Sequence, residues 1–361
     1  MKNRFYIAIL VFAAVVAGCA KVDVVPASDR AVSFQVGSYA PQTKADDGPV
    51  SIITVDGITS FSSRGFLHAE GMEDVSPYYQ EFFGATGETI TYNGSNAWNP
   101  SHIYYWPKSA NSYVNFVSWY GTSPELTYTQ EESVWTASAI WNKITVAKTD
   151  NLLFADMAWR YNENTNSATY GFDGVTEGVP TLFHHALAQI RVMARATKAS
   201  DTGVSWTVKL ASMSVAGVNN KGTLELTNAD PGAKGTQAWT IEPWTDLAGE
   251  STQLGVDYGT SPLALTTTAQ EILGYSSVIP QSVEGKTFNI AFTVETKYGT
   301  TRTVEENVTA QVSLADATVT NWNMNTRITY TLAINPDTGI ITIIPVETNW
   351  TDESEYPINI E

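Results

Sequence analysis

The chain has 361 residues, 37 acidic against 20 Lys and Arg, a net charge of −17, 43% hydrophobic residues and one cysteine. That balance excludes a phosphate-binding surface, because nucleic acid and anionic membranes are held by clustered Lys and Arg and none are clustered here. One cysteine excludes an intramolecular disulfide and a Cys-ligated zinc site, so stability must come from buried apolar area.

In chain order, the first element is a leader. Lys2 and Arg4 precede an apolar run from Phe5 to Ala17, which Val16-Ala17-Gly18-Cys19 closes. This is the layout of a secretory signal peptide, and the run is shorter than the roughly 20 residues a membrane-spanning helix needs. Cys19 at the cleavage site resembles a bacterial lipobox, where the thiol is acylated. The expected division is a signal peptide over 1–18, a tether over 19–30, one domain over 31–178 and a second over 179–361. The boundary falls in the polar, aperiodic stretch Asn162 to Gly178.

From Ala31 to Tyr39 the pattern has period two, with Val32, Phe34 and Val36 predicted inward and Ser33, Gln35 and Gly37 outward. Pro41 to Pro49 is turn-like and contains Lys44; Asp46-Asp47-Gly48 lacks the spaced ligands of a calcium loop and reads as a turn. A short helix is predicted over about Pro77 to Phe83, from Tyr78, Tyr79, Phe82 and Phe83. Tyr113 to Tyr120 is near-continuously apolar, as for a strand buried on both faces, with Pro107 at its entry.

The second half alternates with period two at Ile190 to Ala196, Phe288 to Val294 and Ile328 to Ile334. Turns are predicted at Lys297 to Thr300 and Asn335 to Gly339. The predicted class is all-β, most simply β-sandwiches. Trp106, Trp119, Trp206 and Trp239 are predicted core residues, whereas Trp98 and Trp350, beside polar turns, are the candidates for exposed contacts with a glycan.

Catalytic and cofactor motifs are lacking: no H-E-x-x-H, nucleophile elbow, P-loop or dinucleotide fingerprint occurs. His184 and His185 point to opposite faces of a predicted strand, so packing or hydrogen bonding is the expected role of His185. No metal or cofactor is predicted. A glycoside hydrolase stays the weakest reading, because nothing nominates a carboxylate pair.

Several segments together resemble the fimbrillin family, the Mfa-like subunits of type V pili in Bacteroidia. They are the lipobox, Ile103-Tyr104-Tyr105-Trp106-Pro107, Val114 to Tyr120, Asp150-Asn151-Leu152-Leu153-Phe154-Ala155, Leu182 to Ile190, Trp322-Asn323-Met324-Asn325 and the closing Val346 to Trp350. The resemblance implies two tandem transthyretin-like β-sandwich domains and no enzymatic activity. It implies an outer-membrane lipoprotein anchored through Cys19, displayed at the cell surface or in a pilus. It also implies assembly by proteolytic removal of a first strand, here within 31–44, and insertion of a strand from another pilus subunit. Lys44 is the matching processing site, with Arg30 and Arg64 as the next basic residues. Family members often carry Arg there, so Lys44 departs from an arginine-specific cut. Tyr356, Ile358 and Ile360 alternate in the tail 355–361 as a donor strand would. The adhesion ligand is not specified. The alternative is a surface lipoprotein that binds glycans and does not polymerise.

Overall fold

The computed structural model describes residues 31–38, 57–71, 79–94, 97–131, 134–163, 178–316 and 318–350. Its main strands are β1 (Phe34–Ser38), β2 (Ser60–His68), β3 (Glu88–Tyr92), β4 (Trp98–Pro100), β5 (Tyr113–Tyr120), β6 (Glu125–Glu131), β7 (Val134–Thr145), β8 (Leu153–Ala155) and β9 (Val179–His185). They continue with β10 (Ala188–Ala196), β11 (Val204–Ala216), β12 (Lys221–Ala229), β13 (Gln270–Val278), β14 (Thr287–Tyr298), β15 (Arg302–Ser313), β16 (Thr326–Ile334) and β17 (Ile341–Asn349). No α-helix occurs among the described residues, so the chain is all-β.

The second half is a two-sheet sandwich. One sheet runs β13–β10–β16–β17 and the other contains β11, β14 and β15. The alternating residues of each strand meet in one core: Ile190, Val192 and Ala194 with Ile328, Tyr330 and Leu332 from one sheet, Phe288, Ile290 and Phe292 from the other. The period-two reading of these strands is therefore met. So are the turns, with Gly299 ending the β14–β15 hairpin and Gly339 at positive φ before β17.

In the first half, strand pairing closes on itself. Ladders run β1–β4–β3–β2–β5–β8–β9, and β9 returns to β1. The interior of this ring is filled by Val32, Phe34, Val36, Phe61, Ile90, Trp98, Phe116 and Phe183 among others. β5 is buried at every position between its two ends, as expected of a strand buried on both faces: Val114 and Phe116 join the ring interior, and Val117 and Trp119 a separate core. A third core lies under the sheet β6–β7–β12 and holds Trp119, Trp135, Trp141, Trp159, Trp239, Trp244 and Trp350. In that sheet β7 pairs with β12 from Thr136↔Ala229 to Thr145↔Lys221, so a cut at residue 178 separates β7 from its ladder partner.

Two sequence expectations need correction. The predicted helix over Pro77 to Phe83 is not helical in its described part: Gln80–Glu81 pairs with Leu67 and Phe66 of β2. Tertiary pairing overrides the aromatic spacing, and Phe82 and Phe83 pack beside Tyr104 instead. Trp206 is half-buried against the sandwich core rather than inside it, whereas Trp106, Trp119 and Trp239 are buried.

Candidate functional site: the seat of the first strand

Residues 31–38 sit where the ring closes, between β9 and β4, both distant from them in sequence. Alternation drives the seating: Val32, Phe34 and Val36 face the interior and are 2–3% exposed, while Ser33 and Gln35 remain partly open to solvent. Phe34 lies among three rings, with centroids 5.8 Å from Phe61, 6.2 Å from Phe83 and 5.3 Å from Phe116. Edge-on geometry with Phe61 and Phe116 is the favoured arrangement for aromatic pairs.

The two flanks hold β1 unequally. On one side β1 runs parallel to β9, paired from Phe34↔Val179 to Ser38↔Phe183, and the Val179 N–H donates to the Ser33 carbonyl at 2.8 Å. On the other side the register is Phe34↔Trp98 and the bridge Ala31↔Tyr105, with the Val32 N–H donating to the Tyr104 carbonyl at 2.8 Å. The strap carrying Tyr104 is tied down by its hydroxyl, which donates to Glu88 at 2.8 Å. Burial and that carboxylate push the Tyr104 hydroxyl up to about 12. Burial opposes ionisation of Glu88, but Tyr104 and His102 outweigh it and hold the carboxyl below its usual range. Ile103, between them, is 76% exposed.

Gly178 is the close-approach point. Its φ is +101°, and a Cβ there would lie 3.0 Å from the Phe34 carbonyl carbon and 3.2 Å from the Ser33 oxygen. Both neighbours are backbone and cannot step aside. Gly178→Ala is therefore expected to destabilise the chain by about 2–3 kcal/mol, read as a lower urea midpoint, with faster amide exchange confined first to Phe34 to Gly37.

The remaining expected site residues divide clearly. Cys19, Arg30, Lys44, Tyr356, Ile358 and Ile360 lie outside the described residues. Arg64 is corrected as a processing site: it stands in the middle of β2, paired to Val117 of β5, with its guanidinium on Glu81 and over the Phe66 ring at 5.1 Å. A protease needs an extended, unpaired segment, and this one is committed to ladders. Trp98 and Trp350 are corrected as glycan contacts: they are 2% and 1% exposed, inside the ring and the third core respectively. Polar neighbours in sequence signalled turns but not the burial of the rings between them. His185 is packed, as expected, stacking on Trp350 at 3.8 Å, whereas His184 Nε2 meets Asp156 at 2.7 Å on the opposite face.

Sequence reasoning missed a buried polar cluster between the ring and the third core. His68 Nε2 and the Asn115 amide both meet the Tyr128 hydroxyl, at 2.8 and 2.6 Å, and Arg160 pairs with Asp230 at 3.0 Å. Alternation marked none of these, because their partners lie in different strands. Burial pushes His68 down to about 4 from 6.5, with Asp230 raising and Arg160 lowering it. A folded value below the unfolded one means that the unfolded chain binds the proton first. Stability from this group is thus full above about pH 6.5 and falls as pH drops towards 4, by about 3 kcal/mol in all. Urea midpoints at pH 7 and pH 4 should show that loss, and His68→Gln, which does not titrate there, should remove it.

A shallow concavity of about 390 Å³ lies on the outer face of the sandwich, over Ser212, Ser214, Asn289, Thr309 and Gln311. None of its lining residues belongs to the ring core around the first strand. Among the described residues, no three His, Cys, Asp or Glu side chains converge as metal ligands would.

These observations define a class: an all-β protein whose first strand completes a ring built by the strands that follow it. The model of fimbrillin-like proteins matches residues 67–350, more than half of the chain, and the chain belongs to that family. Among solved structures, a fimbrial protein from Bacteroides vulgatus is similar, with 14% identity, 88% of this chain and 99% of that chain covered, and a TM-score of 0.52. That likeness speaks for the fold alone. A protein from Bacteroides uniformis provisionally assigned to cell adhesion covers 90% of this chain and 100% of its own at 14% identity and a TM-score of 0.44. The fimbrial anchor protein Mfa2 from Porphyromonas gingivalis covers 89% and 98% at 10% identity and a TM-score of 0.26. No curated protein matches the sequence.

Proposed function

We propose that this chain is a structural fimbrial subunit of the cell surface, exported as an outer-membrane lipoprotein on Cys19 and matured by a cut after Lys44. The cut releases the lipid and the first strand together, and a strand from a neighbouring subunit takes the vacated seat. The tail 355–361 is the segment this chain donates in turn. The role is one of assembly and adhesion rather than catalysis, as family membership supports.

The observation that carries this reading is the unequal seating of β1. Its apolar row fills the ring, yet one flank is a regular ladder and the other is little more than Phe34↔Trp98 and Ala31↔Tyr105. Main-chain pairing along β9 supplies affinity for any replacement strand, and the alternate pockets supply register. N-terminal sequencing of the protein on native cells tests it. A start near Ala45 is expected of processed subunits; a start at Cys19 in all assembled material contradicts the maturation step.

A further inference from the structure

The seat of the first strand has a shape that discriminates between occupants. Resting on the reading that β1 is replaced, its geometry asks which strand fits. Three conditions are set by the residues that line it. The occupant runs parallel to β9. It presents alternate apolar side chains to the places of Val32, Phe34 and Val36. And, by the parallel hydrogen-bond pattern that starts with Val179 N–H to Ser33, it supplies N–H groups at the places of Gln35 and Gly37.

The chain's own tail, Glu355-Tyr356-Pro357-Ile358-Asn359-Ile360-Glu361, meets these conditions poorly. Tyr356, Ile358 and Ile360 share one parity, so when they face inward Pro357 falls on an outward place. At the place of Gln35 or Gly37 it removes an N–H that the ladder uses. At the place of Ser33 or Ala31, ahead of the paired residues Phe34 to Ser38, it removes no N–H of that ladder, and Ile358 or Ile360 then stands where Phe34 stands. An isoleucine cannot make the edge-on packing that Phe34 makes with Phe61 and Phe116.

We infer that the central pocket between Phe61, Phe83 and Phe116 is a selector for an aromatic side chain, so that the seat takes a strand of a different subunit, with an aromatic residue flanked two places away by β-branched ones, and rejects the tail of a second copy of this chain. Assembly through this seat is then heterotypic.

The test uses the full-length chain, in which the occupant stays covalently attached. One variant grafts the tail onto the first strand by Val32→Tyr, Ser33→Pro, Phe34→Ile, Gln35→Asn and Val36→Ile. A second carries the same changes but keeps Phe34. The first is expected to melt at least about 5 °C below the unaltered chain, or not to fold, and the second to recover most of that loss. A first graft that melts with the unaltered chain shows that the tail fits and overturns the inference. Equal losses in both grafts overturn it too, because the aromatic place then does not decide. Neither outcome bears on whether strands exchange at all: that reading fails if the trimmed chain accepts no added strand and keeps its ring closed.

Discussion

Phe34→Ala is expected to destabilise the chain by about 4 kcal/mol, a large share of the stability of an ordinary domain. The side chain is 2% exposed, and Phe61, Phe83 and Phe116 close around it. Phe61 and Phe116 are fixed in β2 and β5 and resist collapse into the space, so the cavity term adds to the lost transfer energy. Ile103→Ala is the matched control: Ile103 is 76% exposed on the neighbouring strap, and its truncation should change stability by no more than about 0.5 kcal/mol. Urea midpoints separate the two. Hydrogen exchange adds the location, since the amides of Gln35 and Gly37 should lose protection in Phe34→Ala before those of β14 do.

Trp350→Ala is expected to have a comparable effect, about 3–5 kcal/mol, through a different core. Trp350 is 1% exposed, stacks on His185 at 3.8 Å and 10°, and lies under the Arg327 guanidinium at 5.4 Å. The Trp350 backbone N–H donates to the Asn325 carbonyl at 2.9 Å; truncation to Ala keeps that bond, so the expected loss is that of the indole packing. Ile344→Ala, on the outer face of β17 and 41% exposed, should be close to neutral. Equal losses in Trp350→Ala and Ile344→Ala would mean that the end of β17 is not anchored by the ring. Loss of the stacked pair should also show as a change in near-ultraviolet circular dichroism.

What could be read from the sequence was local. The alternation of Val32, Phe34 and Val36 is a property of consecutive residues, and so are Ile190 to Ala196 and Ile328 to Ile334; each came out as a strand with the expected face buried. The closing of the ring was not legible, because the pairing Phe34↔Val179 joins segments on opposite sides of the whole first half. The same holds for β7 and β12, whose ladder crosses the expected boundary at residue 178. Trp98 and Trp350 were misread for a related reason. Neighbouring Asn and Pro mark a change of direction in the backbone, but whether a ring at that corner meets water depends on what folds over it. Gly178 carried a local signal, a glycine just ahead of an apolar run. That it faces the backbone of Phe34 needed the tertiary structure.

The central claim is that the first strand is a replaceable stave of the ring. The most direct measurement is the association state of the chain after it is cut between residues 38 and 57 and the first strand is separated, followed by size-exclusion chromatography with and without a peptide of residues 31–38. The expected result is that the trimmed chain binds the peptide and runs with it as a monomer that regains the melting point of the intact protein. A trimmed chain that remains monomeric, leaves the peptide unbound and keeps the melting point of the intact protein would contradict it.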